Sequence, residues 1–151
     1  MEVSGSQKIK ASRQVVFQAL LDPQVLQHSI PGCESAELVD FPTGRQLKMT
    51  IAIDFPGLKG SRTIFVQTGD VVPPSHLVLI TEPTSAIGSI RATCAIDLTE
   101  AADGTDLNYN AVAEREGKIA AIPDIMIKGA VKSALDRFFK NFEKQIASIP
   151  A

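Results

Sequence analysis

The sequence predicts an α+β fold in which a curved antiparallel sheet of seven strands wraps around one long C-terminal helix. Three observations predict it: a helical pattern over Gly117–Ala147, six segments of period-two alternation before it, and two short helical patterns after a first strand. A helix of roughly 25 residues is about 37 Å long at 1.5 Å per residue, so it should cross the whole domain. A curved sheet around one such helix tends to enclose a pocket.

The N-terminal elements follow from their start and stop signals. Val3–Ile9 is predicted as the first strand, and Ser12 is a suitable N-cap for the first short helix. The second short helix is predicted to begin in the same way, with Asp22 as its N-cap and Pro23 at its first helical position. The Pro-Gly pair at 31–32 should end that helix.

The central part of the chain is predicted to form six more strands. Turns rich in Pro, Gly and Asp separate them. The clearest strand alternates apolar residues at 90, 92, 94, 96 and 98 with mostly polar ones, as a sheet with one wet and one dry face requires. The predicted strands are Glu34–Phe41, Arg45–Phe55, Lys59–Gly69, His76–Glu82, Ser89–Thr99 and Thr105–Glu116.

The dry face of the sheet and the long helix should together line one continuous apolar cavity. The helix carries an apolar stripe at spacings of three and four: Ile127, Val131, Ala134, Leu135, Phe138, Phe142 and Ile146. The predicted cavity residues are Met49, Ile51, Ile53, Ile64, Val66, Cys94 and Ile96 from the sheet, with Val131, Leu135 and Phe138 from the helix.

A second apolar group occupies the opposite side of the predicted helix near its start. It consists of Ile119, Ile122, Ile125 and Met126 and is called the apolar lip below. Loops at 54–57 or 82–88 could bury these residues as ordinary core. Alternatively, they form the mouth of the pocket and govern ligand access or docking of a partner, because exposed apolar patches often mark interaction sites.

Length and composition narrow the class of protein. At 151 residues the chain is predicted to form one domain over 1–151. A net charge of -2, no Trp and one Tyr argue against a nucleic-acid partner. The two cysteines, Cys33 and Cys94, are far apart in the sequence and fit reduced thiols better than a disulfide framework. The N-terminal segment lacks the apolar h-region of a signal peptide, and the sequence has no run of roughly 18 apolar residues that would indicate a transmembrane helix. We therefore expect a cytoplasmic protein with at most peripheral membrane contact. Spaced every four residues along the predicted last helix, a basic band is formed by Lys128, Lys132, Lys140 and Lys144, with Asp136 at the middle position. Such a band can attract anionic lipid but is usually only a solvated face.

The inventory of reactive side chains predicts no catalytic site, no metal site and no cofactor. The two histidines, His28 and His76, lack any H-x-x-x-H or H-E-x-x-H spacing. His28, Ser29 and Cys33 are close in sequence, but no nucleophile elbow surrounds them. Carboxylates at the end of the last predicted strand, such as Glu114, are usually solvated rather than a tuned acid and base pair.

The element order resembles the helix-grip fold of the START/SRPBCC superfamily over nearly the whole chain. More specifically, LLDPQVLQHSIPGCESAEL at 20–38 resembles the D-P-x-x-L core and I-P-G-C turn of the carbon monoxide dehydrogenase G-subunit family. EGKIAAIP and DRFFKNF are similar to that family's entry into, and end of, the last helix. The residues that carry the turn motif are Asp22, Pro23, Leu26, Ile30, Pro31, Gly32 and Cys33.

This resemblance implies a non-catalytic accessory protein of a molybdenum hydroxylase such as aerobic carbon monoxide dehydrogenase. Its implied roles are maturation or membrane recruitment of that enzyme. Some members carry a tail thought to anchor them; this sequence stops at Ala151, so such anchoring is not expected.

The predicted apolar cavity would suit a lipophilic ligand such as a quinone, an isoprenoid or a fatty chain. Two alternatives stay open, because a fold does not determine function. One is an enzyme of the cyclase or hydrolase kind on the same fold, which a buried acid, base or arginine in the cavity would favour. The other is a purely structural adaptor, which a filled core would favour.

Overall fold

One antiparallel sheet and three α-helices make up the computed structural model, which describes residues 1–42, 44–55, 58–82, 84–85 and 88–147. For residues 53–55, 58–59, 84–85 and 119 it describes the backbone only. The strands are β1 Glu2–Ile9, β2 Cys33–Phe41, β3 Gly44–Phe55, β4 Leu58–Val72, β5 His76–Thr81, β6 Thr84–Ser85, β7 Gly88–Ala101 and β8 Gly104–Gly117. The helices are α1 Arg13–Leu20, α2 Pro23–Ser29 and α3 Asp124–Ala147, with a short 3-10 helix at Lys118–Ala121.

The strands form a curved open sheet in the order β1-β8-β7-β5-β4-β3-β2, and the two-residue β6 pairs with β7. Every pairing is antiparallel. The predicted α+β class and the seven principal strands are therefore confirmed. The two-residue β6 was not predicted, because a strand that short carries no periodic signal.

Both short helices begin at their predicted caps. The Ser12 side chain accepts a hydrogen bond from the backbone N–H of Val15, and the Asp22 carboxylate accepts one from that of Gln24 at 2.9 Å. Each cap satisfies an N–H group that has no partner within its helix. Pro23 occupies the first turn of α2, where its missing N–H costs nothing.

The helical pattern predicted from Gly117 is divided in the structure. Pro123 disfavours a helical conformation at Ile122, so the 3-10 turn ends and α3 begins only at Asp124. Arg115 spans this break, because its guanidinium donates to the Ile122 carbonyl at 2.7 Å and pairs with the Asp124 carboxylate. The single long helix predicted from Gly117 was therefore wrong at its start, although α3 still has 24 residues.

The core lies in two clusters that meet at α3. The larger one joins β1, α1, β5, β7, β8 and the C-terminal half of α3, and its fully buried side chains include Leu77, Leu107 and Phe142. The smaller cluster is built from Leu26, Leu47 and Met49. Phe138 packs against both clusters.

The basic band of α3 lies in solvent. The side chains of Lys128, Lys132, Lys140 and Lys144 are all exposed, as a solvated helix face requires. Of the helices in the described part of the chain, none combines the length and the apolar character needed to cross a bilayer.

Candidate functional site

An apolar cavity of about 550 Å³ lies between the sheet and α3. α3 packs mainly against α2, with smaller contacts to β1 and α1. Because these contacts hold the helix without pressing its middle onto the central strands, space is left above β3, β4, β5 and β7. The cavity occupies that space.

Four central strands and β8 form the floor of the cavity. Neighbouring floor residues are cross-strand partners, so they point to the same face: Leu47 opposite Val66, Leu79 opposite Cys94, and Ile96 opposite Tyr109. The floor is built from Leu47, Met49, Val66, Thr68, Leu79, Cys94, Ile96 and Tyr109, and Leu38 and Arg45 lie at its edge.

α3 and the two short helices cover this floor. α3 contributes Val131, Ala134, Leu135, Phe138 and Phe139, and the two short helices with the residues that follow them contribute Leu20, Leu21, Leu26, Ile30 and Pro31. The rings of Phe138 and Phe139 meet edge to face at 5.1 Å, and the ring of Phe139 stacks on that of Tyr109 at 5.5 Å. This aromatic cluster forms one end wall.

The structure brings together most of the residues proposed from the sequence. Those that line the cavity are Met49, Val66, Cys94, Ile96, Val131, Leu135 and Phe138. Ile51 packs against the smaller core cluster, and Ile64 is half-buried on β4 opposite Met49; neither is among the lining residues. The side chain of Ile53 lies outside the described residues.

Several lining residues escaped the sequence reasoning. Leu20 and Leu26 belong to the short helices and Ile30 follows the second one, and nothing in the apolar pattern there distinguishes cavity residues from core residues. Leu47 and Leu79 continue the same alternation as the proposed floor residues, so the periodicity could have included them.

The I-P-G-C turn fixes one corner of the cavity. Gly32 has a φ of +77°, and its carbonyl accepts a hydrogen bond from the Ala52 N–H of β3 at 2.8 Å. The N–H of Cys33 donates to the Ile30 carbonyl at 3.1 Å, which closes the turn. The turn thereby joins the end of α2 to β3 and places Ile30 and Pro31 on the cavity wall.

Burial favours the neutral forms of Cys94 and Tyr109, the two ionisable side chains in the central part of the floor. Burial raises the pKa of the Cys94 thiol to about 11, so the thiol stays protonated at neutral pH. Burial, with a smaller contribution from Asp136, also raises the pKa of Tyr109, whose hydroxyl lies over Gly5 of β1. No carboxylate is among the described lining residues.

The candidate reactive residues do not converge. The Ser29 hydroxyl donates to the Val25 carbonyl at 2.6 Å. The Nδ1 atom of His28 lies 2.7 Å from the Gln24 carbonyl oxygen. The Cys33 thiol donates to the Ser35 carbonyl, and burial raises its pKa. His76 pairs with Asp97 at 2.7 Å near the surface. In the ranges that the structure describes, no three His, Cys, Asp or Glu side chains form a cluster suited to a metal ion.

The apolar lip is largely exposed where it is described. Ile125 is 81% exposed and Met126 48% exposed, whereas Ile122 is half-buried. The side chain of Ile119 lies outside the described residues, as do residues 56–57, 83 and 86–87 of the loops proposed to cover the lip. Because the 3-10 turn and Pro123 precede α3, a helical wheel applies only to Ile125 and Met126, so the predicted single face for all four residues was wrong.

Solved structures support the fold. A conserved protein from Geobacillus kaustophilus is 33% identical, covers 97% of this chain and 95% of its own, and superposes with a TM-score of 0.85. A START superfamily protein from Mycobacterium smegmatis is 16% identical over 99% of both chains, with a TM-score of 0.74. Ara h 8.0201 is likewise 16% identical over 99% of both chains, with a TM-score of 0.73. At 16% identity these last two likenesses show the fold alone.

The sequence comparisons define the family. No curated protein matches the chain. The family model for CoxG, the G subunit of carbon monoxide dehydrogenase, matches residues 5–147, which is nearly the whole chain and includes the I-P-G-C turn. The chain therefore belongs to the CoxG family of carbon monoxide dehydrogenase.

Proposed function

We propose that this protein is a cytoplasmic, non-catalytic accessory protein that binds a lipophilic small molecule in its apolar cavity. The family and the START-like fold together suggest a ligand-binding accessory protein. The ligand class proposed here is a quinone, an isoprenoid or a fatty chain. The two free thiols, Cys33 and Cys94, support a reducing compartment.

The observation that carries this proposal is the size and lining of the cavity. Its volume of about 550 Å³ lies within the roughly 300–1,000 Å³ of typical small-molecule sites. Its walls are almost entirely aliphatic and aromatic. Affinity would therefore come mainly from apolar transfer, at about 25 cal/mol per Å² of apolar surface removed from water.

The same geometry disfavours the two alternatives. An adaptor with a filled core would not leave a cavity of ligand size. A cyclase or hydrolase would need an acid, a base or an activated nucleophile in the cavity. The described lining offers Cys94 and Tyr109, whose raised pKa values disfavour ionisation, and Arg45, which is 63% exposed at the cavity edge rather than buried.

The proposed partner is a molybdenum hydroxylase such as carbon monoxide dehydrogenase. The family description supports this link, since it names a component of that enzyme. The accessory protein would serve the maturation or membrane recruitment of the hydroxylase, with its ligand held in the cavity. Co-purification of a hydroxylase with the protein from its own host tests the partner separately from the ligand.

A pair of tryptophan substitutions on neighbouring residues of α3 tests the ligand site. Both Ala134 and Ser133 are exposed, but only Ala134 lines the cavity. Ala134→Trp should fill part of the cavity and weaken binding of the apolar dye anilinonaphthalene sulfonate by at least about tenfold, whereas Ser133→Trp should leave it unchanged. Equal effects of both substitutions, or no dye binding by the wild type, would count against the cavity as the site. Native mass spectrometry of the host-purified protein would identify the bound molecule.

A further inference from the structure

A short polar row borders the apolar floor at one edge of the cavity. Asp40 on β2 and Arg45 on β3 are cross-strand partners. Arg45 and Thr68 lie two residues beyond the pair formed by Leu47 and Val66 on β3 and β4, on the same sides of their strands. Asp40, Arg45 and Thr68 thus follow one line across three strands.

Over the same three strands, the next row inward is apolar. Leu38 is opposite Leu47, and Leu47 is opposite Val66, and all three line the cavity. The sheet therefore changes from polar to apolar within two residues along each strand. A molecule that lay across both rows would need a polar end and an apolar body.

Arg45 is the charged residue of this boundary that lines the cavity. Its side chain is 63% exposed, and its Nε donates to the Asp40 carboxylate at 2.9 Å. Neither Nη group has a hydrogen-bond partner in the described part of the chain. Because a guanidinium carries five N–H donors, four remain for a ligand.

We propose that Arg45, with Thr68 beside it, holds the polar end of an amphipathic ligand whose head carries hydrogen-bond-accepting oxygens. This inference rests on the proposed function, because it assumes that the apolar cavity holds the body of the same molecule. The head is a carbonyl or a carboxylate, since both present acceptor oxygens to the two Nη groups. A quaternary ammonium head has no acceptor atom for these N–H groups.

The neighbouring polar groups define this preference. Asp40 offsets the charge of Arg45, so a neutral carbonyl oxygen is bound without an unpaired charge. Elsewhere on the described floor, the Tyr109 hydroxyl lies against β1 and Cys94 is a weak donor. Arg45 is therefore the strongest donor available to a ligand in this lining.

Three soluble probes test the inference: dodecanoate, which has a carboxylate head; duroquinone, which has carbonyl groups and no free position for thiol addition; and dodecyltrimethylammonium, which has the dodecyl tail and no acceptor. Their affinities are measured by displacement of an apolar fluorescent dye. Arg45→Met keeps an unbranched stem and removes the donors. Arg91→Met is the matched control, because Arg91 is 65% exposed, pairs with Glu82 at 3.4 Å and does not line the cavity.

We expect Arg45→Met to weaken binding of dodecanoate, duroquinone or both by at least about fivefold, without weakening dodecyltrimethylammonium. Arg91→Met should change none of the affinities. Arg45→Lys should lose less affinity for the oxygen-bearing probes than Arg45→Met does. Loss for dodecanoate alone identifies a carboxylate head, and loss for duroquinone alone identifies a carbonyl head. Unchanged affinities in Arg45→Met, or an equal fall for all three probes, would overturn the head-group assignment. If no probe binds the wild type at all, the proposed function itself fails.

Discussion

The backbone of Gly32 lies directly against the backbone of Ala52. The Ala52 N–H donates to the Gly32 carbonyl at 2.8 Å, and a Cβ added to Gly32 would lie 2.6 Å from the Ala52 carbonyl oxygen. Gly32 also has a φ of +77°, a conformation that other residues rarely adopt. The glycine of the family turn is therefore required by geometry. Through it, the end of α2 is held on β3 beside the cavity.

Gly32→Ala should destabilise the protein strongly. The backbone conformation alone costs about 1–3 kcal/mol for a residue with a Cβ, and the clash with a backbone oxygen cannot be relieved by a side-chain rotation. We expect a fall of at least about 2 kcal/mol in the free energy of unfolding, measured by urea denaturation. Gly129→Ala is the control, because that exposed helix position has open space and should gain about 1 kcal/mol. A loss below about 1 kcal/mol in Gly32→Ala would show that the turn can adjust.

Phe138 and Phe142 stack on one another at 5.4 Å but should respond differently to truncation. Phe142 is fully buried and does not line the cavity, so Phe142→Ala should cost about 3–5 kcal/mol. Phe138 borders the cavity and already lacks partner atoms on that side, so Phe138→Ala should cost about 1–2 kcal/mol. Urea unfolding of both variants measures the difference. Equal losses would mean that the space beside Phe138 is filled in solution.

The Cys94 thiol should ionise only at high pH. Its pKa of about 11 means that the thiolate fraction, and with it the alkylation rate, should rise about tenfold per pH unit between pH 8 and 10. The measurement is iodoacetamide labelling of a Cys33→Ala variant, followed by mass spectrometry. An unfolded reference peptide should level off near its ordinary pKa of 9.0. A plateau for the folded protein near pH 9 would contradict the burial of this thiol.

The same raised pKa gives the stability a defined pH dependence. Below about pH 9 the Cys94 thiol is protonated in both the folded and the unfolded chain, so its full contribution to the free energy of unfolding is present. Between about pH 9 and 11 the unfolded chain loses this proton while the folded chain keeps it. The free energy of unfolding should therefore fall with pH in that window, and less steeply in Cys94→Ala.

Most of the fold could be predicted from the sequence because local signals and the tertiary structure agree. Ser12 and Asp22 cap the helices they were expected to cap, and the alternation from Ile90 to Leu98 defines a strand with one inward face. The exception was the start of the last helix. There the apolar pattern continued through residues 118–122, but Pro123 limited the backbone of Ile122 and the chain formed a 3-10 turn instead.

The cavity was harder to delimit than the sheet. Periodicity shows which face of a strand points inward, but it does not distinguish a residue that lines empty space from one packed in the core. Ile51 and Met49 share a face and a strand, yet only Met49 lines the cavity. The polar row of Asp40, Arg45 and Thr68 depends on registers between three strands, which no local pattern specifies.

The exposure of the apolar lip makes Ile125→Asp a direct test of its role. Ile125 is 81% exposed, and an aspartate in the first turn of α3 would interact favourably with the helix dipole. The melting temperature should therefore change by less than about 2 °C. Ile127→Asp is the structural control. Ile127 is buried two residues away, so this substitution should lower the melting temperature by several degrees.

If the lip governs ligand access or partner docking, Ile125→Asp should slow the uptake of an apolar dye or weaken hydroxylase binding while the fold stays intact. Unchanged uptake and unchanged partner binding in a stable Ile125→Asp variant would show that the exposed isoleucine serves neither role.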